Sequence, residues 1–267
     1  MAVDFLFKDK YNINDLIEIV RILRAPGGCP WDIKQTHASI KKDFIEETYE
    51  VVEAINKDDK TLLCEELGDV LLQVAFHSDI EREKGTFDFG DVADGICKKL
   101  IIRHPHVFGD VKADTADEVL TNWDEIKRRT KHQKSVAQSI DSIPRELPAL
   151  MRASKIQSRA AKTGFDFDST DSALDKITEE TAELKEAVAS GDKAKISDEL
   201  GDLLFAAVNV ARFTGVEAEE SLTASSDKFS SRFKITEELA KQKNIDMKSA
   251  SIKELDVLWD EAKKLTK

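Results

Sequence analysis

The chain carries one pattern of acidic residues twice, 133 positions apart. Residues 46–69 and 179–202 align without a gap, and 12 of the 24 aligned pairs are identical. Unrelated amphipathic helices would not share this many residues, so the chain is a tandem duplication whose halves are expected to fold alike. The predicted organisation is an N-terminal domain at 1–132, a polar linker at 133–148 that holds Pro144 and Pro148, and a C-terminal domain at 149–267.

The charge balance argues against two classes of partner. The chain has 52 acidic and 40 basic residues and a net charge of −12. This excess disfavours nucleic acid and anionic membrane surfaces. Apolar runs stay well short of the roughly 18 residues that span a membrane. The three cysteines lack metal-ligand spacing and indicate a reducing compartment. We therefore expect a cytoplasmic protein without a nucleic-acid or membrane partner.

Hydrophobic periodicity predicts an all-α fold, a tandem repeat of two helical bundles. Helices are predicted at 13–24, 38–56, 60–83, 88–102 and 116–130, then at 146–162, 171–189, 192–213, 217–242 and 251–266. In each half a short turn joins the two acidic helices, which makes them antiparallel neighbours. Because a mid-helix glycine costs about 1 kcal/mol, Gly68 and Gly201 suggest the close approach of a neighbouring helix.

The paired acidic helices predict a metal site in each half. Antiparallel packing would bring several carboxylates together, and like charges so close repel unless a cation neutralises them. The alternative, a solvated helical face, tolerates Lys, Gln or Ser, whereas five aligned positions are acidic in both halves. These acids are Glu179, Glu180, Glu183, Glu199 and Asp202 in the second half, and Glu46, Glu47, Glu50, Glu66 and Asp69 in the first. Oxygen-only ligands favour Mg²⁺, with Mn²⁺ as a possible substitute. A di-iron site would need Glu-x-x-His pairs, which the acidic helices lack.

Basic residues accompany the second set of acids. Lys176 lies one turn before Glu179 and Glu180, and Lys195 one turn before Glu199. Further i, i+4 pairs are formed by Lys228 with Arg232 and by Trp259 with Lys263. A triphosphate with a bound cation needs such positive charges around it.

The first half keeps only part of this set, because Asp43 and Leu62 stand at the positions of Lys176 and Lys195. We therefore expect the second half to bind and turn over a triphosphate and the first to be weaker or to have another role. Trp259 fits a core aromatic and a base-stacking residue equally well.

Two further motifs complete a family resemblance. The chain has GGCPWD at 27–32 followed by QTH at 35–37, and it has HPHVF at 104–108. Together with the acidic pattern, these motifs resemble the MazG-type nucleoside triphosphate pyrophosphohydrolases over nearly the whole chain. The resemblance implies the all-α NTP pyrophosphatase fold, a homodimer, and Mg²⁺-dependent hydrolysis of nucleoside triphosphates (NTP or dNTP) to monophosphate and pyrophosphate. Broad base specificity and a house-cleaning or nucleotide-pool role are part of this expectation, with the activity in the C-terminal domain.

The resemblance also assigns roles to residues of this chain. The metal ligands would be Glu180, Glu183, Glu199 and Asp202, and the catalytic residues Glu179, Glu180, Glu183, Lys195 and Asp202. The nucleotide would be contacted by Lys127, Lys176, Glu179, Glu180, Lys195, Asp198, Lys228, Arg232, Trp259 and Lys263. Attack of water at the α or the β phosphorus stays open, as does the role of Asp198. The rival hypotheses are a nucleotide-sensing module without turnover and a helical scaffold whose acids merely keep it soluble.

Overall fold

The structure is a computed structural model that describes residues 5–112, 115, 118, 119, 123, 126 and 135–266. These residues form α-helices and one short 3₁₀ turn, without a strand among them. The chain divides into two compact units, Met1–Lys127 and Arg128–Lys267. None of the helices in the described ranges is both long and apolar enough to cross a bilayer.

The first unit is built around an antiparallel helical hairpin. Its helices are α1 (Ile13–Arg24), α2 (His37–Asn56), α3 (Lys60–Lys84), α4 (Phe89–Arg103) and α5 (Pro105–Phe108). Helices α2 and α3 form the hairpin, and α1 and α4 pack against α3. A core cluster of Val20, Ile40, Ala75, Phe76 and Ile80 joins α1, α2 and α3.

The second unit repeats this hairpin and adds another. Its helices are α6 (Val136–Asp141), α7 (Ala149–Ala161), α8 (Thr170–Ser190), α9 (Lys193–Thr214), α10 (Ala218–Gln242) and α11 (Ile252–Leu265). The α8–α9 hairpin packs against α7, and α10 pairs with α11 over a core of Leu239, Ala240, Leu258 and Ala262. Each unit therefore has one hairpin that carries the repeated acidic pattern, α2–α3 in the first unit and α8–α9 in the second.

Most predicted helices are confirmed within about one residue at each end. The helix predicted at 146–162 begins instead at Ala149, because Pro148 is its N-cap residue and has an extended backbone. Helix α5 and helix α6, which lies inside the predicted linker, are too short to show a hydrophobic period and were not predicted. The predicted helix at 116–130 falls largely outside the described residues.

The expectation that Gly68 and Gly201 mark a close helix contact is wrong for the contacts within this chain. A Cβ atom built on either glycine would meet nothing within 4 Å. Both glycines are exposed. As far as the described residues extend, the space beside both glycines is therefore open.

Candidate active site

The turn between α8 and α9 fixes how the acids of the second unit face one another. Gly191 ends α8 with a φ of 70°, in the left-handed region that glycine adopts without strain. Asp192 caps α9, and its Oδ1 accepts hydrogen bonds from the backbone N–H groups of Ala194 and Lys195 at 2.9 and 3.4 Å. In the first unit Asp58, with a φ of 53°, and the cap Asp59 occupy the equivalent places. Both turns are short, so each helix pair is antiparallel.

The hairpin brings three acids of the second unit together. Glu180 on α8 and Glu199 and Asp202 on α9 each offer one carboxylate oxygen, and these oxygens lie within 4.8 Å of one another. Glu180 is buried, with 4% of its surface exposed, whereas Asp202 is exposed. We call these residues the second acid cluster. Three of the four predicted metal ligands thus meet in the structure.

The buried carboxylate of Glu180 fits a cation ligand. Its Oε1 lies 2.7 Å from Lys176 Nζ. Its Oε2 is buried and has no hydrogen-bond partner in the part of the chain that the structure describes. An unpartnered carboxylate oxygen beside two other carboxylates is costly, because both desolvation and repulsion oppose it. A hard divalent cation with oxygen ligands would satisfy this atom and neutralise its neighbours.

Two further predicted acids lie beside the cluster. Glu183 is exposed, and its carboxylate is not one of the three that meet in the cluster. Its pKa is nevertheless raised by partial desolvation and by the charges of Glu199 and Glu180. Glu183 is thus electrostatically coupled to the cluster. Glu179 is exposed, and its Oε1 accepts a hydrogen bond from Lys176 at 2.8 Å.

Of the predicted lysines beside the cluster, Lys176 contacts its acids. Hydrogen bonds to Glu179 and Glu180 raise the pKa of Lys176 above its ordinary value, so this ammonium stays charged. Lys195 and Asp198 on α9 are exposed. Among the described residues, the Lys195 side chain makes no hydrogen bond or ion pair, and it is free to meet a ligand.

The remaining predicted contact residues gather on the α10–α11 hairpin. The Trp259 ring lies 5.0 Å from that of Phe229. Arg232 Nε donates a hydrogen bond to Thr266 Oγ1 at 3.1 Å, and Lys263 pairs with Asp260 at 2.9 Å. Lys228 is exposed one turn before Arg232, and Lys127 lies outside the described residues. Within the described parts of the unit, no hydrogen bond or ion pair joins this hairpin to the second acid cluster.

The first unit has an equivalent cluster. Oxygens of Glu47, Glu66 and Asp69 lie within 4.8 Å of one another. Burial, a hydrogen bond with Glu50 and the charge of Asp69 raise the pKa of Glu47 to about 7. The pKa of the buried Glu66 is also raised, first by desolvation and then by Glu50. Glu46 is exposed, as its counterpart Glu179 is. We call Glu47, Glu66 and Asp69 the first acid cluster.

Sequence reasoning missed a polar network at the far end of the first hairpin. His37 at the start of α2 lies with its Nδ1 2.6 Å from His77 Nδ1, and its Nε2 is 2.6 Å from Glu81 Oε1. Hydrogen bonds from Lys84, Thr86 and His37 lower the pKa of Glu81 to about 2. His77 and Glu81 are spaced i, i+4 on α3, and His37 begins the antiparallel helix α2. This spacing was the sequence signal from which the network could have been predicted.

Comparison with known proteins identifies the family. A family model described as the MazG nucleotide pyrophosphohydrolase domain matches residues 35–108 and again 168–236. The chain is 43% identical over 257 residues to the nucleoside triphosphate pyrophosphohydrolase of Escherichia coli (strain K12), an alignment that covers 94% of this chain and 97% of that protein.

Two further relatives extend the comparison. Identity is 43% over 249 residues to the nucleoside triphosphate pyrophosphohydrolase/pyrophosphatase MazG of Thermotoga maritima, covering 93% of this chain and 94% of that protein. It is 47% over 246 residues to the uncharacterized protein YabN of Bacillus subtilis, covering 92% of this chain and 50% of that protein. The tandem all-α fold and the two matches to the family model are those of a nucleotide pyrophosphohydrolase. The chain belongs to the MazG family and carries its domain twice, which confirms the resemblance and the enzyme class inferred from the sequence.

Proposed function

We propose that this chain hydrolyses nucleoside triphosphates to monophosphate and pyrophosphate at the second acid cluster, with Mg²⁺ held by Glu180, Glu199 and Asp202. The buried, unpartnered Oε2 of Glu180 carries this proposal, because it gives the cluster a specific need for a cation. The names of the relatives in Escherichia coli and Thermotoga maritima support the reaction. Glu183 completes the predicted ligand set from the same helix face.

The residues of the second unit are proposed to have different roles in the reaction. A bound divalent ion supplies Lewis-acid stabilisation of phosphate oxygens and lowers the pKa of a water. Lys176 is charged and offers its N–H donors to phosphate oxygens beside the cluster. Glu179 is exposed and can accept the proton of the attacking water. Lys195, Lys228 and Arg232 would stabilise the charge that develops on the leaving pyrophosphate.

We also propose that the protein is a homodimer. In the second unit Leu200, Leu204 and Phe229 are about half exposed, and such apolar area is buried at subunit interfaces. A dimer could bring the cations of one α10–α11 hairpin to the acids of another subunit. Broad base tolerance, a house-cleaning or nucleotide-pool role and a cytoplasmic location belong to the same proposal.

The first unit is proposed to bind a nucleotide or metal more weakly and to serve a regulatory role. Asp43 and Leu62 stand where the second unit has Lys176 and Lys195, so the first acid cluster lacks the neighbouring positive charge. The raised pKa of Glu47 further opposes cation binding near neutral pH, because a proton must leave first.

A matched pair of substitutions tests the site assignment. The purified protein is incubated with Mg²⁺ and each triphosphate, and monophosphate and pyrophosphate are measured. We expect Glu180→Gln to lower turnover by about 100-fold or more, since it removes a proposed metal ligand. Glu47→Gln, at the equivalent position of the first unit, is expected to leave turnover within about twofold.

The same measurements can contradict the proposal. Release of diphosphate and phosphate by the wild-type protein would exclude a pyrophosphohydrolase. A Glu180→Gln variant that keeps wild-type turnover would move the reaction away from the second acid cluster. Circular dichroism of both variants checks that the helices are intact.

A further inference from the structure

A row of three polar side chains joins the start of α2 to α3 in the first unit. Glu81 Oε1 lies 2.6 Å from His37 Nε2, and His37 Nδ1 lies 2.6 Å from His77 Nδ1. The two imidazole rings are parallel within 3°, and their centroids are 5.0 Å apart. This separation is as large as the Nδ1–Nδ1 distance allows, so the rings meet edge to edge. None of the three residues has a role in the function proposed above.

The edge-to-edge geometry of the two histidines is that of a shared proton. Their Nδ1 lone pairs point at each other, and a metal ion between them would need each nitrogen about 2.0 Å away. A distance of 2.6 Å leaves no room for such an ion. One short N–H···N hydrogen bond accounts for the contact. The pair is therefore held together by a proton.

Glu81 fixes the proton on one side of His37. Hydrogen bonds from Lys84, Thr86 and His37 lower the pKa of Glu81 to about 2, so its carboxylate is ionised and can only accept. His37 Nε2 therefore carries a hydrogen. In the neutral pair His37 Nδ1 accepts from His77 Nδ1–H. With one added proton, the imidazolium of His37 donates to His77 Nδ1 instead. Both protonation states keep the hydrogen bond.

A second added proton breaks the contact. Both Nδ1 atoms would then carry a hydrogen, and two positive charges would face each other without an acceptor between them. Burial and the charge of His37 already lower the pKa of His77 below its ordinary value of 6.5. Neutral His77 therefore contributes its full stabilisation of the folded protein above pH 6.5. This contribution is lost as the pH falls through the lowered pKa.

The charged groups around the pair do not compensate the second proton. Glu81 also accepts a hydrogen bond from Lys84 at 2.6 Å, and Lys34 and Lys41 on either side of His37 are exposed. The charged groups on α1, on α4 and at the end of α3 pair with one another, namely Arg21 and Arg24 with Asp79, Arg24 with Glu83, Arg82 with Asp79, Lys98 with Asp94, and Asp91 with the backbone of Asp88. In the described part of the first unit, Glu81 is thus the carboxylate that bonds to the pair, and His37 already occupies it.

The second unit has no titratable group at the equivalent positions. The residues 133 positions after the three groups are Thr170, Val210 and Thr214. Thr170 begins α8 as His37 begins α2. The two hairpins therefore start alike, but at these positions only the first carries side chains that take up protons near neutral pH.

We propose that His37 and His77 form a pH-sensitive latch, in which a shared proton holds the start of α2 on α3 and a second added proton releases it. Release frees the first turn of α2 together with the QTH motif at 35–37. The latch lies in the unit to which we do not assign turnover, so it stands independently of the proposed reaction. It makes the packing of the first hairpin sensitive to acid, and it leaves the second hairpin unaffected.

Amide hydrogen exchange of the wild-type protein in EDTA tests the latch, because the second unit supplies a control within the same molecule. The protection of amides 41–44 in α2 is divided by that of amides 174–177 in α8, so the intrinsic effect of pH on exchange cancels. We expect this ratio to fall by roughly tenfold or more between about pH 7.5 and about pH 5.5. Protonation of Glu47 stabilises the first unit at acid pH, so it cannot cause this fall.

Two substitutions assign the effect to the pair. His77→Asn keeps a neutral polar group near the position of Nδ1 but takes up no proton, so its ratio should be the same at both pH values. His104→Asn removes another histidine of the same unit, whose Nδ1 lies 2.7 Å from the carbonyl oxygen of Leu100, and it should keep the wild-type response.

Several results would overturn the latch. One is a wild-type ratio that stays constant between the two pH values. Another is a ratio for His77→Asn that falls as far as that of the wild-type protein. Loss of the response in His104→Asn would assign it to a different histidine. If circular dichroism shows that His77→Asn does not fold, the wild-type ratio decides alone.

Discussion

At the scale of single residues, one substitution separates the electrostatics of the two acid clusters. Lys176 contacts Glu180 in the second unit, and Asp43 occupies its position in the first. The buried carboxylate of the second unit therefore has a fixed counter-charge before any cation binds. In the first unit the excess negative charge is met by proton uptake, and the pKa of Glu47 rises to about 7.

This raised pKa predicts a pH-dependent stability of the metal-free protein. Between the ordinary value of 4.5 and about 7, folded Glu47 keeps a proton that the unfolded chain has released. The contribution of protonated Glu47 to the stability of the folded protein is complete below pH 4.5, and it is lost as the pH rises through 7. We expect Glu47→Gln to raise the melting temperature in EDTA at about pH 8 but to change it little at about pH 5.

Melting followed by circular dichroism measures this effect. Glu46→Gln removes a neighbouring exposed charge that is not in the first acid cluster, and it should show no such pH dependence. An equal shift for Glu47→Gln at both pH values would argue against the raised pKa.

The identity of the clustered acids could be read from the sequence, but their individual environments could not. Periodicity places Glu180, Glu199 and Asp202 on facing helix sides, and the structure brings them together. That Glu180 is buried with one free oxygen while Glu183 stays exposed depends on the rotation of each helix in its pair, which charge patterns do not encode. The second unit also has a cavity of about 330 Å³ that is lined by Gln157, Phe167 and Phe205, and it was not predicted because its walls come from three separate segments of the chain.

At the scale of elements, the caps of the acidic hairpins set their geometry. Asp192 holds the first turn of α9, and Glu199 follows two turns later. We expect Asp192→Ala to destabilise the second unit by about 1 kcal/mol, the usual value of an N-cap. The pyrophosphohydrolase activity should also fall, since the start of α9 frays and Glu199 is less well positioned.

The matched control is Asp192→Asn, which keeps a side-chain oxygen for the N–H groups of Ala194 and Lys195. Thermal melting and pyrophosphate release are measured for both variants. Wild-type values for Asp192→Ala would show that the cap does not support the site.

Helix positions were the most predictable feature of this chain. Long helices such as α3 and α9 have clear caps, Asp59 and Asp192, and clear glycine ends, Gly85 and Gly215. The short helices α5 and α6 span too few residues to show a hydrophobic period. The helix contact expected at Gly68 and Gly201 is absent among the described residues, because a sequence does not show which side of α3 or α9 the partner helix packs on.

At the scale of the whole molecule, the exposed face of α9 predicts association. Leu200 and Leu204 flank Gly201, beside which this chain leaves open space. A helix of a second copy could approach closely there. We expect the protein to have twice its chain mass of 29.9 kDa in solution, and Leu204→Glu to halve that mass and reduce activity.

Light scattering after size exclusion measures the mass of the wild-type protein and of this variant. Ile252→Glu, which adds the same charge at an exposed position that starts α11, is the control and should leave the dimer intact. A monomeric, fully active wild-type protein would refute the proposed dimer.

The phenyl ring of Phe76 has a consequence for how the duplicated halves can change over time. It is buried in the core of the first unit with Val20 and Ile80, whereas Asn209, at the equivalent position of the second unit, lines a cavity of about 330 Å³. A polar side chain at position 76 would lie among apolar neighbours without a partner, and we expect it to weaken the fold. A polar side chain is already accommodated at position 209, so the two halves are expected to tolerate different substitutions at this aligned position.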